Sequence, residues 1–317
     1  MTAPNTPLQT VIAKPRGFCA GVDRAIKVVE EALALYKPPI YVRKEIVHNK
    51  SVVRRLREAG AVFIDEVDAA PPGSILILSA HGSPPWVYER ARERGLRLID
   101  ATCPLVTKVH REVHRYVRKG YRIVFIGHAG HDEVIGTMGQ APERTVLVET
   151  VADARALDLP PDEPGVILTQ TTLSQDDTAE IVDVLRRRFP RLELPPSDDI
   201  CYATQNRQNA VKQIAPEIDL LLVVGSQNSS NSQRLTEVAR ARGIEAHLID
   251  GPEDIDPDWL TDRRRIGVTS GASAPEQLVQ AVVEFLSERG AIASRELDAP
   301  DENVTFRMPP LVQLNQS

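Results

Sequence analysis

The chain has 317 residues, of which 42% are apolar and 26% are charged, and no apolar run approaches the roughly 18 residues that a membrane-spanning helix needs. A formal net charge of −6 argues against a general binder of nucleic acid or of anionic membranes, because either would favour a basic surface. Three widely spaced cysteines argue against a secreted disulfide framework, and the polar N-terminus MTAPNTPLQT lacks the apolar core of a signal peptide. We therefore expect a cytoplasmic protein without a nucleic-acid or membrane partner.

Strand and helix patterns alternate along the whole sequence, which predicts an α/β fold with mostly parallel sheets. Three stretches predict a helix end, a glycine and then a short strand: REAGAVFID, RERGLRLID and RARGIEAHLID. At about 300 residues, three similar α/β units of about 90 residues, one per cysteine, fit the length better than one continuous sheet. The expected units are residues 20–103, 104–197 and 198–288, with 1–19 joining the third unit and 289–317 forming an extended wrapping tail.

Two of the cysteines are predicted to lie at helix starts. An apolar helical face follows each of these two cysteines. The face after Cys19 consists of Val22, Ala25, Ile26, Val29 and Leu33, and the face after Cys103 consists of Val106, Val109, Val113 and Val117. Amides and the helix dipole favour a thiolate there, which is the form that binds metal. The segment after Cys201 has a weaker apolar stripe.

Five apolar strand candidates end in small polar loops, and ligands of open α/β sheets bind beyond the carboxyl ends of strands. We expect these loops to converge on a site. The five stretches are SILILSAHGSP, YRIVFIGHAGHDE, GVILTQTTLSQDD, LLLVVGSQNSSNS and RIGVTSGASAPE.

Three cysteines from separate units could supply three thiolates to one metal site. A 4Fe–4S cluster usually takes four cysteines, so one of its irons would have no cysteine ligand here. Three unrelated buried cysteines and a zinc site with three thiolates are the alternatives.

Neutral donors in the polar loops suit a phosphate or diphosphate, although Ser/Asn clusters are often only polar loops. His48, His81 and His131 follow strand-like segments, and Glu133 is the candidate catalytic carboxylate. The alternative role for Glu133 is a helix-start acid that interacts with the dipole. No Rossmann fingerprint or Walker A sequence is present, so a nucleotide cofactor has no support.

A series of motifs, in order along residues 12 to 280, resembles the LytB/IspH family of 4-hydroxy-3-methylbut-2-enyl diphosphate reductases. The motifs are PRGFCAGVDRAI, EIVHN, SAHG, DATCPLVTKVH, GHAGHDEVIGTMGQ, TQTTLS, DDICYATQNRQ, VGSQNSSNS and GASAP. The resemblance implies the last step of the methylerythritol phosphate pathway: two-electron reductive removal of a hydroxyl from an allylic diphosphate, which gives isopentenyl and dimethylallyl diphosphate.

The resemblance also implies the cofactor, the site residues and the partners. Three similar α/β units would surround a 4Fe–4S cluster with one iron not ligated by cysteine, held by Cys19, Cys103 and Cys201. Glu133 and Thr171 match the proton-relay and hydroxyl-handling positions, and flavodoxin or ferredoxin would donate electrons. The positions matched by the family's substrate pocket are His48, His81, His131, Gln170, Thr172, Ser229, Ser230, Asn231 and Ser273.

Two rival functions differ in what they need from these residues. An iron–sulfur sensor or electron carrier would keep the cysteines but would need neither Glu133 nor the histidine and serine donors. A zinc-dependent hydrolase would carry stoichiometric zinc in place of iron and sulfide.

Overall fold

The computed structural model describes residues 8–160, 162–300 and 302–310, except for the side chains of residues 293 and 294. The expected segments 1–19 and 289–317 therefore lie partly outside the described residues. The described strands are Gln9–Ile12 (β1), Ile40–Arg43 (β2), Ala61–Ile64 (β3), Ile75–Leu78 (β4), Arg97–Asp100 (β5), Arg122–Ile126 (β6), Thr145–Val148 (β7), Gly165–Thr169 (β8), Leu192–Glu193 (β9), Leu220–Val224 (β10), Glu245–Ile249 (β11), Arg265–Ser270 (β12) and Ile292–Glu296 (β13). The described α-helices are Ala20–Tyr36 (α1), Lys50–Glu58 (α2), Pro85–Glu93 (α3), Pro104–Val117 (α4), Asp132–Met138 (α5), Val151–Ala156 (α6), Gln175–Arg188 (α7), Tyr202–Ile214 (α8), Ser230–Arg240 (α9) and Glu276–Glu288 (α10).

The strands form three sheets, and every strand pair among the described residues is parallel. The strand orders are β11-β10-β12-β1-β13, β3-β2-β4-β5 and β7-β6-β8-β9. The predicted α/β class with parallel sheets and three similar strand–helix units is thus confirmed. The five predicted strands that end in polar loops are β4, β6, β8, β10 and β12, and each lies inside its sheet with a neighbour on both sides.

The chain divides into two compact units. Unit 1 comprises residues 1–20, 48–53 and 202–305 and holds the five-stranded sheet. Unit 2 comprises residues 21–47, 54–201 and 306–317 and holds both four-stranded sheets. The boundaries that the sequence suggests at 104 and 198 stay a prediction.

The core of each unit comes from apolar strands and from one face of each helix. The strand β10, sequence LLLVV, is buried at all five positions, as a strand covered on both faces requires. In α4, Val106, Val109 and Val113 are buried on the predicted face, and each such burial contributes about 1.5–3 kcal/mol. Burial of its apolar face therefore fixes the position of α4, the helix that begins beside Cys103.

One segment differs in part from its expected form. Residues 292–296, expected within an extended tail, form β13, which pairs in parallel with β1. The strand completes the sheet because β1 would otherwise present an unpaired edge.

Candidate active site

Each cysteine stands directly before a helix. Cys19 precedes α1, Cys103 is the N-cap of α4, and Cys201 precedes α8. Pro104 occupies the first turn of α4, where its missing N–H costs no hydrogen bond. All three cysteines lie in the described part of the chain, are half-buried and form no disulfide. Helix N-termini favour the thiolate, so each of these cysteines is suited to ligate a metal.

A backbone hydrogen bond anchors each cysteine to a loop that follows a central strand. In unit 2, the Cys103 amide donates to the Ala80 carbonyl (2.9 Å) and the Cys201 amide to the Thr171 carbonyl (3.0 Å). In unit 1, the Cys19 amide donates to the Ala272 carbonyl (3.1 Å). The carboxyl ends of β4, β8 and β12 therefore hold the cysteine-bearing loops.

Glu133 and Thr171 form a buried pair in unit 2. Glu133 lies in the first turn of α5, is 3% exposed, and accepts hydrogen bonds from the Thr171 amide at Oε1 (2.6 Å) and from Thr171 Oγ1 at Oε2 (3.1 Å). Burial raises the pKa of Glu133 to about 7, and the two hydrogen bonds from Thr171 only partly oppose that rise. A carboxyl group with such a pKa can donate and recover a proton near neutral pH.

Two histidines lie beside this pair. His131 is the N-cap of α5, and its Nδ1 accepts a hydrogen bond from the Glu133 amide (3.1 Å). A neutral His131 therefore carries its proton on Nε2, which makes that nitrogen a donor. The His81 ring meets the His131 ring edge-on, with centroids 5.8 Å apart.

Gln170 connects the two loops that carry these groups. It is fully buried, its Oε1 accepts from the His128 amide (3.1 Å), and its Nε2 donates to Thr172 Oγ1 (2.9 Å). Both ends of its amide are thus used in holding the loops after β6 and β8. Gln170 and Thr172 flank Thr171 in the chain, and their hydrogen bonds hold the loop that carries it.

The predicted polar residues of unit 1 lie together at the start of α9. Ser229 is the N-cap of this 11-residue helix, and its Oγ lies 3.3 Å from Ser273 Oγ. Ser273 Oγ donates to the His48 carbonyl (2.9 Å), and Ser230 is the first residue of α9. Hydroxyls and backbone amides at a helix N-terminus are suited to an anion.

Asn231 links this group to the loop that carries Cys19. Its Oδ1 accepts a hydrogen bond from the Ala272 amide (2.8 Å), and its Nδ2 donates to Thr204 Oγ1 (3.1 Å). The carbonyl of the same Ala272 accepts from the Cys19 amide. Unit 1 thus brings Cys19, His48, Ser229, Ser230, Asn231 and Ser273 together, whereas unit 2 gathers Cys103, Cys201, His81, His131, Glu133, Gln170, Thr171 and Thr172.

Asp199 and Lys108 form a connection that no sequence motif predicted. Asp199 Oδ2 accepts from the Thr169 amide (3.0 Å), and Oδ1 accepts from Lys108 Nζ (3.0 Å). Lys108 also donates to the carbonyls of Ser197 and Asp198, so α4 holds the segment that leads to Cys201. The acidic pair in DDICY was the available clue, because its second member lies two residues before the cysteine.

The parallel α/β fold and a buried acid–hydroxyl pair beside cysteine-bearing loops are typical of an α/β enzyme. The sequence profile of the family described as "LytB protein" matches residues 10–287. The chain is 56% identical over 301 residues to 4-hydroxy-3-methylbut-2-enyl diphosphate reductase 2 of Burkholderia mallei, covering 95% of this chain and 92% of the relative. It is 55% identical over 310 residues to the reductase of Acidothermus cellulolyticus, covering 97% and 91% of the two chains.

A solved structure agrees with these relatives. The E-1-hydroxy-2-methyl-but-2-enyl-4-diphosphate reductase of Plasmodium falciparum superimposes with a TM-score of 0.93 at 44% identity, covering 96% of each chain. The chain therefore belongs to the LytB protein family, a family of iron–sulfur reductases of the non-mevalonate pathway. Among the described residues, no helix is long and apolar enough to cross a membrane.

Proposed function

We propose that the chain reduces 4-hydroxy-3-methylbut-2-enyl diphosphate to isopentenyl and dimethylallyl diphosphate. The reaction takes two electrons and two protons, breaks the C–OH bond of the substrate, forms one C–H bond at either end of the allylic system, and releases water. The observation that carries the proposal is the buried Glu133–Thr171 pair, whose acid has a pKa of about 7. A hydroxyl group leaves easily only as water, so the reaction needs such an acid.

We propose that Cys19, Cys103 and Cys201 are the ligands of a 4Fe–4S cluster in which one iron has no cysteine ligand. Their half-buried positions before α1, α4 and α8 support this assignment, because helix N-termini stabilise thiolates. When bound, the cluster would supply electrons and Lewis acidity. A flavodoxin or ferredoxin would deliver the electrons singly, and a reducing cytoplasm would suit the thiolates.

The diphosphate would be bound mainly by neutral donors. We assign this role in unit 1 to the hydroxyls and amides at the start of α9, together with Asn231, Ser273 and His48. In unit 2 we propose His81 and His131 as further substrate-binding residues, since Nε2 of neutral His131 is a donor. Neutral donors can bind an anion without a cluster of Lys and Arg side chains, which agrees with the net charge of −6.

Proton delivery is assigned to Glu133 through Thr171. The Thr171 hydroxyl can donate to Glu133 Oε2 when the carboxyl is ionised, and the protonated carboxyl can donate to the same hydroxyl oxygen. The Thr171 amide at Oε1 fixes the carboxyl in one orientation during both states. The residues therefore provide a reversible proton path that ends at a threonine hydroxyl.

The test is anaerobic turnover with a one-electron reductant. Protein reconstituted with iron and sulfide should convert the allylic diphosphate into both products, with one water released per two electrons consumed. Iron and sulfide without conversion would indicate an electron carrier. Stoichiometric zinc without sulfide would indicate a hydrolase, and either result would overturn the proposal.

A further inference from the structure

The loop that presents Cys19 is held by an arginine inside unit 1. Arg207, on α8, is fully buried, and its Nη2 donates to the Gly17 carbonyl (2.8 Å). The Gly17 amide donates to Ser270 Oγ (2.9 Å), so both backbone groups of this residue are fixed two positions before the cysteine. Gly17 has φ +73°, a conformation that glycine adopts without strain.

A carboxylate from the C-terminal segment balances the charge of this arginine. Both oxygens of Glu302 lie 3.1 Å from Arg207 Nη1, and Asn206 Nδ2 donates to Glu302 Oε1 (3.0 Å). The Glu302 side chain is 11% exposed and that of Arg207 is 0% exposed. A buried guanidinium without a partner is strongly destabilised, so Glu302 is needed for Arg207 to remain in place.

The same C-terminal segment has further attachments near this loop. The Leu297 amide donates to the Ile12 carbonyl (2.8 Å), and Leu297 is buried. Glu296 Oε1 accepts from Arg16 Nη1 (2.5 Å), and Arg16 is the neighbour of Gly17 in the chain. The segment thus runs beside β1 and contacts the loop through Arg16 as well as through Arg207.

We infer that Arg207 and Glu302 are positioning residues for Cys19. Glu302 supplies the charge that keeps Arg207 bonded to the Gly17 carbonyl, and this bond fixes the loop that presents the thiol. The C-terminal segment therefore contributes to the cysteine site without supplying a ligand. The inference rests on the proposed function only in the role given to Cys19 as a cluster ligand.

The experiment compares Glu302→Gln with Asp298→Asn, a control that removes an exposed carboxylate from the same segment. Metal-free protein is alkylated anaerobically with iodoacetamide, and mass spectrometry follows each cysteine separately. In Glu302→Gln, Cys19 should react about tenfold faster relative to Cys103 and Cys201, because loss of the buried carboxylate favours local opening of the loop. The control should keep the ratios of the unaltered chain.

Arg207→Lys gives a second variant, since lysine keeps the charge but cannot make the forked set of contacts. It too should increase the relative rate at Cys19. After reconstitution, both variants should also lose iron to a chelator faster than Asp298→Asn does.

Unchanged relative rates at Cys19 would overturn the inference, and so would a uniform increase at all three cysteines, which indicates a general loss of stability. If Cys19→Ser keeps its full iron content, Cys19 is not a ligand, but a changed alkylation ratio in Glu302→Gln would still support the positioning role. If Cys19→Ser loses iron and the alkylation ratio in Glu302→Gln is unchanged, only the positioning role is rejected. The two proposals can therefore fail separately.

Discussion

Replacing Glu133 with glutamine tests the proton path most directly, because the structure accommodates the change. Gln Oε1 can accept from the Thr171 amide, and Gln Nε2 can donate to Thr171 Oγ1, so both contacts persist with one reversed. Only the exchangeable proton is lost. We expect turnover to fall by about 10²–10⁴, the usual contribution of a positioned general acid.

The same substitution should make the protein more stable, relative to the unaltered chain, as the pH rises. The pKa of Glu133 in the fold is about 7 against an ordinary 4.5, so the protonated form favours folding. Its contribution is fully present below pH 4.5 and is lost as the pH rises to about 7. Glutamine has no such loss. Relative to the unaltered chain, the free energy of unfolding of Glu133→Gln should therefore rise by about 3 kcal/mol between pH 4 and pH 8.

The assay is single-turnover reduction with a pre-reduced cluster, which removes the external electron donor from the measurement. Glu143→Gln is the matched control, because Glu143 is an exposed glutamate in the turn that follows α5. Denaturant unfolding at several pH values gives the stability difference. If Glu133 were only a helix-start acid, the variant would lose about 0.3–1 kcal/mol and keep nearly normal chemistry. Near-normal dehydroxylation by the variant would refute the proton path.

Three further predictions concern the ligands, the anion donors and the threonine. Serine at any one of Cys19, Cys103 and Cys201 should remove most of the cluster and nearly all activity, and iron analysis that shows full content would identify a structural cysteine. Asn231→Ala should weaken diphosphate binding about 10–100-fold, the equivalent of about 1.5–3 kcal/mol for a charge-assisted hydrogen bond, and equilibrium titration with substrate would detect unchanged affinity. Thr171→Val keeps the backbone bonds to Glu133 and Cys201 but loses the hydroxyl, so iron content should stay normal while single-turnover reduction slows; equal loss of both would assign Thr171 to cluster assembly.

Periodic patterns made most of the fold predictable. The five strands β4, β6, β8, β10 and β12 were recognisable as apolar runs before polar loops, and the helices after Cys19 and Cys103 by one apolar face each. These features depend on residues close together in the chain. The parallel arrangement follows from alternating strands and helices, because each crossover needs a helix.

Side-chain connections between distant loops could not be predicted in the same way. Gln170 stays a predicted substrate-binding residue, and the structure adds that its buried amide joins the loops after β6 and β8 through His128 and Thr172. Nothing in TQTTLS distinguishes an amide that faces a ligand from one that holds a neighbouring loop. In DDICY, likewise, Asp199 faces Lys108 and the end of β8, and no local pattern separates it from its neighbour Asp198.

The loops that anchor Cys201 and Cys19 also hold other side chains of the candidate site. Thr171 receives the Cys201 amide on its carbonyl and gives its own amide and hydroxyl to Glu133. A displacement of this one residue therefore changes the position of a thiol and the environment of an acid together. Ala272 has the corresponding place in unit 1, between the Cys19 amide and the side chain of Asn231. The bonds to the two cysteine amides use only the backbone carbonyls of residues 171 and 272, so a side-chain substitution at either position can change the chemistry of the site while these two anchors persist.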